Sequence, residues 1–366
     1  MIEALGKRGG GTEAPVAPCR FDSWKVNGRA RLDFWLPSAL LVSLIWVGCH
    51  ADSTPIRLAQ YRLELASVLE TPALPTPQTS AAWLPSRADR RLEGGDERVG
   101  SLDFLGTIGC RLSEVVAARN APLGKVLVPS RRLAYELDVI QAIEECLPSL
   151  GKERATPWRR RLEQKRTQLP IHVWNAVWLD KELERWLSSG GPTWLGSDHE
   201  TDAARELERA ALAIQEKDVG GLEASFAALR DDPPFGPTLR ALERATDELR
   251  QVSALITPLA GSACSARGRQ LAQIFHDRFE PMRPDLVRLG RAGGAGVESI
   301  ERLFVVTEGS VAVPESMRAF RRRIVGECVE APCPSLLARY QGALRQHARA
   351  WSPLVESCEA TPGVSL

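Results

Sequence analysis

Apolar residues recur at three- and four-residue spacing along almost the whole of this chain, while the alternating β-branched runs of half-buried strands do not recur. A chain patterned this way hides its apolar atoms by packing helix on helix. The expected fold is therefore all-α, a multi-helix bundle of one large or two packed helical subdomains. Ile56, Tyr61, Leu65, Val68 and Leu69 fall on one face of a first helix. Thr71 to Leu84 (TPALPTPQTSAAWL) carries three prolines and reads as an extended connector, held on the body by Leu74, Trp83 and Leu84.

A second helix is expected from about Val99 to Asn120, burying Leu102, Leu105, Leu112, Val115 and Val116. After the turn NAPLGKVLVPS, Ser130 is placed to cap a helix over roughly Arg131 to Cys146, antiparallel to the one before it. Pro170 is expected to open a helix with a Trp174, Val177, Trp178, Leu183, Trp186 and Leu187 stripe. Ser197 and Glu200 have capping-box spacing before Ala203, Leu207 and Leu212. Beyond DDPPFGP (Asp231 to Pro237), helices are expected near 238–255, 266–289, 297–307, 314–327 and 335–355, with the glycines at 293–296 as a hinge-like turn.

The N-terminal fifty residues carry a different signal. Arg29 and Arg31 precede an apolar run from Phe34 to Val47, which ends at Gly48-Cys49. At about 1.5 Å per residue the run makes roughly 21 Å of helix, short of the ~30 Å hydrocarbon core. A basic flank, a short apolar segment and a small residue before the cut describe a secretory signal. The cysteine at the cut makes it a lipoprotein-type signal, with Cys49 the lipidated new N-terminus, although Trp46 stands where such signals usually carry Leu. Residues 1–27, rich in Gly, Pro and charge, read as a mis-assigned or disordered extension, with Val26 the expected true start. The expected partition is 1–27, a signal over 28–48, a helix and connector over 49–97, a helical subdomain over 98–230, and a C-terminal helical subdomain over 238–358.

The 47 Lys and Arg residues nearly cancel the 46 Asp and Glu residues. That balance argues against nucleic acid, which needs a concentrated basic face, and against polybasic attachment to anionic lipid. Beyond Cys49 the chain holds Cys110, Cys146, Cys264, Cys328, Cys333 and Cys358. An even set in an exported chain reads as up to three disulfides, with fifteen pairings open. The hairpin favours Cys110 with Cys146, and Cys328 and Cys333 are close enough for a local staple. There is no C-x-x-C pair and no zinc-like His spacing, so neither metal nor cofactor is expected.

Chemistry-bearing motifs are few. Gly124-Lys125 is not a phosphate loop, because Arg119 and Val126 occupy the positions that need Gly and Ser or Thr. There is no G-x-S-x-G and no H-E-x-x-H, and His172, His199, His276 and His347 are scattered singly, as surface or capping residues. Trp158, Trp174, Trp178, Trp186 and Trp194 read as core packing, and the runs Arg159–Arg161 and Arg321–Arg323 as solvated faces. What remains is polar crowding around one hairpin turn: Arg119, Asn120, Gly124, Lys125, Ser130, Arg132, Tyr135 and Glu136.

This stretch, LDFLGTIGCRLSEVVAARNAPLGKVLVPSRRLAYELDVI, resembles the signature of a proteobacterial lipoprotein family, domain of unknown function 3080. Leu169 to Ala176, with its W-N-A, and Trp351, Leu354 and Cys358 fit the same pattern. The resemblance marks Cys110, Arg119, Asn120, Leu123, Gly124, Lys125, Ser130, Arg132, Tyr135 and Glu136, and departs at Ala121-Pro122. It implies a lipid anchor and no known activity. Together these readings lead to a lipid-anchored envelope protein, expected in the periplasm. His50 after the lipid cysteine points to the inner leaflet of the outer membrane. The leading role is non-catalytic, binding an envelope protein or glycan through the 119–136 turn. The rival is a periplasmic enzyme acting on cell-wall or lipid material, with Glu136 and Tyr135 as acid–base groups.

Overall fold

The structure, a computed structural model, describes residues 54–72, 75, 84–95, 104–120, 127–188, 200–259, 264–326 and 335–359. In chain order the α-helices are α1 (Thr54–Val68), α2 (Arg87–Arg90), α3 (Arg111–Asn120), α4 (Pro129–Cys146), α5 (Lys152–Trp178), α6 (Lys181–Trp186), α7 (Glu200–Glu216), α8 (Val219–Ala228), α9 (Gly236–Ile256), α10 (Ala266–Ile274), α11 (Arg283–Glu308), α12 (Glu315–Ile324) and α13 (Leu336–Glu359). The fold is all-α, and no strand occurs among the described residues.

Helix α9 is the centre of the large core. Leu239, Leu242, Ala245, Leu249, Val252 and Ile256 repeat at helical spacing and are all buried, and α1, α11 and α13 pack around them. Helix α7 covers α11, and α8 packs on α7. Across the α1–α9 contact Arg62 Nε meets Glu248 Oε2 at 2.5 Å, with both side chains almost completely buried. A pair so deep is strongly unfavourable to break, because the survivor is left as an uncompensated charge. The large core takes residues from both sides of the Asp231–Pro237 segment, whose Phe235 stacks on Trp186 with ring centroids 4.7 Å apart.

A second, smaller core joins α3, α4 and the first half of α5 through Leu112, Val115, Val116, Val139, Ala142, Ile143, Trp158 and Leu162. A Cys110–Cys146 disulfide staples it, and Cys264–Cys358 ties the start of α10 to the end of α13. Cys328 and Cys333 lie outside the described residues. Trp158, Trp174, Trp178 and Trp186 are core residues, at most 2% exposed. Two indoles are also satisfied: Trp174 Nε1 donates to the Arg90 carbonyl at 2.8 Å and Trp178 Nε1 to Thr307 Oγ1 at 3.0 Å.

The structure corrects several expected boundaries. Helix α3 begins at Arg111, not Val99, because a turn containing Gly109 at φ 95° precedes it, and Leu105 is 55% exposed. Ser130 does not cap α4. Pro129 opens that helix with its φ already set and no N–H to satisfy, and the Ser130 hydroxyl donates to Glu223 at 2.9 Å instead. Pro170 does not open a helix either, since it sits inside the continuous α5. An interior proline costs about 3 kcal/mol. The rod persists because its first half is anchored in the small core by Trp158 and Leu162, and its second half in the large core by Trp174, Val177 and Trp178.

The glycines at 293–296 form no hinge and lie within α11. Their smallness serves packing: a Cβ on Gly293 would collide with Leu242, and one on Gly296 with the Phe235 ring. The hinge-like irregularity lies earlier. Phe275–Phe279 is a π-helical turn, in which the Glu280 N–H reaches back to the Phe275 carbonyl, followed by a 3-10 turn over Glu280–Met282. Pro281 cannot donate to the carbonyl four residues before it and crowds that carbonyl, so the ladder shifts register. The Ser197 capping-box position and most of the 71–84 connector lie outside the described residues.

Candidate functional site

Two of the marked hairpin residues, Arg119 and Arg132, line a cleft of about 360 Å³. One wall is α2 and the segment following it, with Arg87, Arg91, Leu92, Glu93 and Gly94; the other is Arg119 at the end of α3 with Leu127, Pro129 and Arg132. The floor is the end of α5, with His172, Asn175 and Leu179.

The first wall is built by the W-N-A motif. Asn175 Nδ2 donates to the Leu92 carbonyl at 2.7 Å, and the Leu92 N–H donates to Asn175 Oδ1 at 3.0 Å, a reciprocal amide pair that holds an otherwise irregular strand of chain. A Cβ on Gly94 would press on the His172 ring at 3.2 Å, so a small residue there lets the backbone lie against the imidazole. Arg90 is 2% exposed and donates to the Trp178 carbonyl at 2.9 Å, while Arg87 donates to the Leu179 carbonyl. Two cations thus terminate α5 where its carbonyls have no intrahelical partner. Both also pair with Glu184, Arg90 at 2.9 Å and Arg87 at 3.3 Å. Burial pushes the Arg90 guanidinium below its ordinary pKa, and the Glu184 hydrogen bond works against that.

The second wall is organised by Glu136. Its carboxylate is completely buried, with Oε1 2.7 Å from Arg132 Nε, Oε2 2.7 Å from Lys165 Nζ, and His172 Nε2 3.8 Å away. The first pair is an i,i+4 contact along α4 and the second joins α4 to α5. The ring of Tyr135, the neighbour of Glu136, is met by two guanidinium groups, Arg119 at 5.8 Å and Arg132 at 5.6 Å from its centroid. Cation–π contact fixes the direction of both arginines at the cleft.

Of the expected site residues, the structure thus brings Arg119, Arg132, Tyr135 and Glu136 together. Helix α3 ends at Asn120, while Leu123, Gly124 and Lys125 lie outside the described residues. His172 and His347 were expected at the surface or in caps; both are buried, at 7% and 1% exposure. Pattern reading also missed Arg87 and Arg90, whose partners lie some ninety residues away, and Arg91 beside them. Of the two arginine runs, Arg159 and Arg160 are exposed as expected and Arg161 lies over the Trp158 ring, whereas Arg321–Arg323 is a paired face. Arg321 meets Glu308, Arg322 Glu315 and Arg323 Glu243, and Lys165 and Arg166 meet Glu136 and Glu144. Among the described residues no group of His, Cys, Asp and Glu could hold a metal ion, and no helix is long and apolar enough to cross a membrane.

The family model for a protein of unknown function, DUF3080, matches residues 58–362 of the 366. The chain belongs to the DUF3080 family. That span contains both cores, the cleft and both disulfides, and leaves out only the first four described residues, Thr54 to Arg57. Comparison with curated proteins and with solved structures returned no match.

Proposed function

We propose that this DUF3080 protein is a lipid-anchored envelope protein that binds an acidic partner, protein or glycan, in the arginine-walled cleft. The observation that carries the binding role is a cleft lined by Arg87, Arg91, Arg119 and Arg132, the last two also packed on the Tyr135 ring. The chain as a whole has a formal charge of only +1, so this is a local concentration of cations on a nearly neutral body. Planar guanidinium groups fixed in direction suit carboxylate or phosphate recognition. Support for export comes from two disulfides in the described body, which need an oxidising compartment, and from the signal-like segment ending at Cys49.

The geometry favours binding over acid–base chemistry at this place. Each oxygen of Glu136 meets a cation at 2.7 Å, and Glu136 does not line the cleft. Its role is to hold Arg132 and Lys165 in position. Affinity purification of the tagged protein from crosslinked envelopes tests the reading. An acidic partner should be captured by the wild type and lost from Arg91→Glu with Arg119→Glu, at unchanged thermal midpoint. Identical captures from both would remove the cleft as the binding site. Mass spectrometry of the purified protein tests the anchor separately, since an unmodified Cys49 would remove it.

A further inference from the structure

A second cleft, of about 430 Å³, opens between the π-helical turn and α13, far from any residue of the arginine-walled site in sequence. Its wall is apolar and aromatic: Phe275 and Phe279 from the π turn, Leu286 from α11, and Leu344, Trp351 and Val355 from α13. The volume falls within the roughly 300–1,000 Å³ of small-molecule sites, which are mostly apolar with a few placed polar groups. The shift of helical register that brings Phe275 and Phe279 to this wall is of the kind found often at functional sites.

The placed polar group is His347, which lines the cleft and is 1% exposed. Trp351 Nε1 stands 3.1 Å from His347 Nε2, and an indole N–H only donates, so Nε2 accepts. The Tyr61 hydroxyl reaches the same nitrogen at 3.2 Å. Burial lowers the imidazole pKa to about 3, so the ring is neutral and its one proton is on Nδ1. With Nε2 accepting, Nδ1–H is the one donor the ring can offer a ligand. At the rim stand Glu280, Arg283, Ser352 and Glu356, a mixture of both signs and a hydroxyl, with Val287 half exposed beside them. An anion would find little there, because Arg283 is already paired with Glu280 at 2.9 Å.

We infer that this cleft binds a single-chain acyl ester of glycerol. Its tail lies on Phe275, Phe279 and Trp351, its ester carbonyl accepts the His347 Nδ1 proton, and its uncharged or zwitterionic head meets the mixed rim. Both a monoacylglycerol and a lysophospholipid with a zwitterionic head have this chemistry. The site is independent of the arginine cleft and of the state of Cys49.

Calorimetric titration of the purified, disulfide-intact protein with 1-lauroylglycerol, 1-O-dodecylglycerol and a lauroyl lysophosphatidylethanolamine, each below its aggregation threshold, tests it. Saturable binding of an ester at one site is expected, with the ether about tenfold weaker because it lacks the carbonyl acceptor. Whichever ester binds more tightly identifies the head group. His347→Phe should bring ester and ether to equal affinity. Ala348→Trp, at an exposed rim position, should weaken both about tenfold or more with the thermal midpoint unchanged. Absence of saturable binding to wild type, wild-type affinity in Ala348→Trp, or an unchanged ester preference in a folded His347→Phe protein would each overturn the assignment.

Discussion

The two clefts of this DUF3080 protein each contain a buried histidine, and they use it in opposite surroundings. His172 stands 3.8 Å from the Glu136 carboxylate, among arginines and a lysine. His347 stands among Phe275, Phe279, Trp351 and Tyr61, with ring centroids 4.1 to 6.2 Å away. Charge organises the first site and exclusion of charge organises the second. The same side chain therefore says nothing of its role until its neighbours are known. The disulfides stand differently to the two clefts: Cys110–Cys146 joins the ends of α3 and α4 far from the arginine cleft, whereas Cys358 lies one turn beyond the Val355 wall of the aromatic cleft.

The contrast is sharpest at Glu136. Glu136→Gln removes the buried countercharge of Arg132 and Lys165, and should lower unfolding free energy by about 3–5 kcal/mol in urea denaturation. An effect below about 1 kcal/mol would mean that the cations reach water without it. Replacing both Cys110 and Cys146 by Ser frees a loop with a 36-residue separation and should cost about 3–4 kcal/mol by the chain-entropy relation. Thermal unfolding under matched conditions measures it, and the aromatic cleft should keep its ligand affinity if the two regions are independent.

The aromatic site should reveal itself through pH. His347 has a folded pKa of about 3 against an ordinary 6.5, so between these values the unfolded chain binds a proton that the folded protein refuses. Stability contributed by this group is therefore present above about pH 6.5 and is lost as pH falls toward 3. From pH 7 to pH 5 the loss should be about 2 kcal/mol. His347→Gln should be flatter over that interval than wild type, and parallel curves would contradict the neutral, excluded imidazole. The smallest stability effect is expected at the arginine cleft mouth. Arg119→Ala, on a partly exposed side chain, should change unfolding free energy by less than about 1 kcal/mol while abolishing capture of the acidic partner.

Much of the helical framework was legible because burial on a helix repeats at a fixed interval. The Trp174, Val177, Trp178, Leu183, Trp186 and Leu187 stripe is buried throughout, although Asp180 splits it into two helices by accepting the N–H groups of Glu182 and Leu183. The Cys110–Cys146 bond matches the hairpin reading, because α3 and α4 pack against one another. Where local rules competed with packing, packing prevailed. Pro170 and the 293–296 glycines are helix breakers by propensity, yet each is carried within a helix whose two ends are anchored by the core. Half of the candidate site was legible as well, since Arg119, Arg132, Tyr135 and Glu136 are near one another along the chain. Its other half, Arg87, Arg91 and His172, was hidden, because nothing local connects residue 87 with residue 132.

The order of residues alone determined that this protein is helical, which faces of many helices are apolar, and where one hairpin concentrates charge. These are short-range properties, set by the 3.6-residue period and by neighbours along the chain. Tertiary structure decided which charges are buried and which cavities remain. Arg62 meets Glu248 across 186 residues, and Tyr61 meets His347 across 286. Such pairs arise only when the helices close on one another, because burial and hydrogen bonding depend on distance in space and not on separation along the chain.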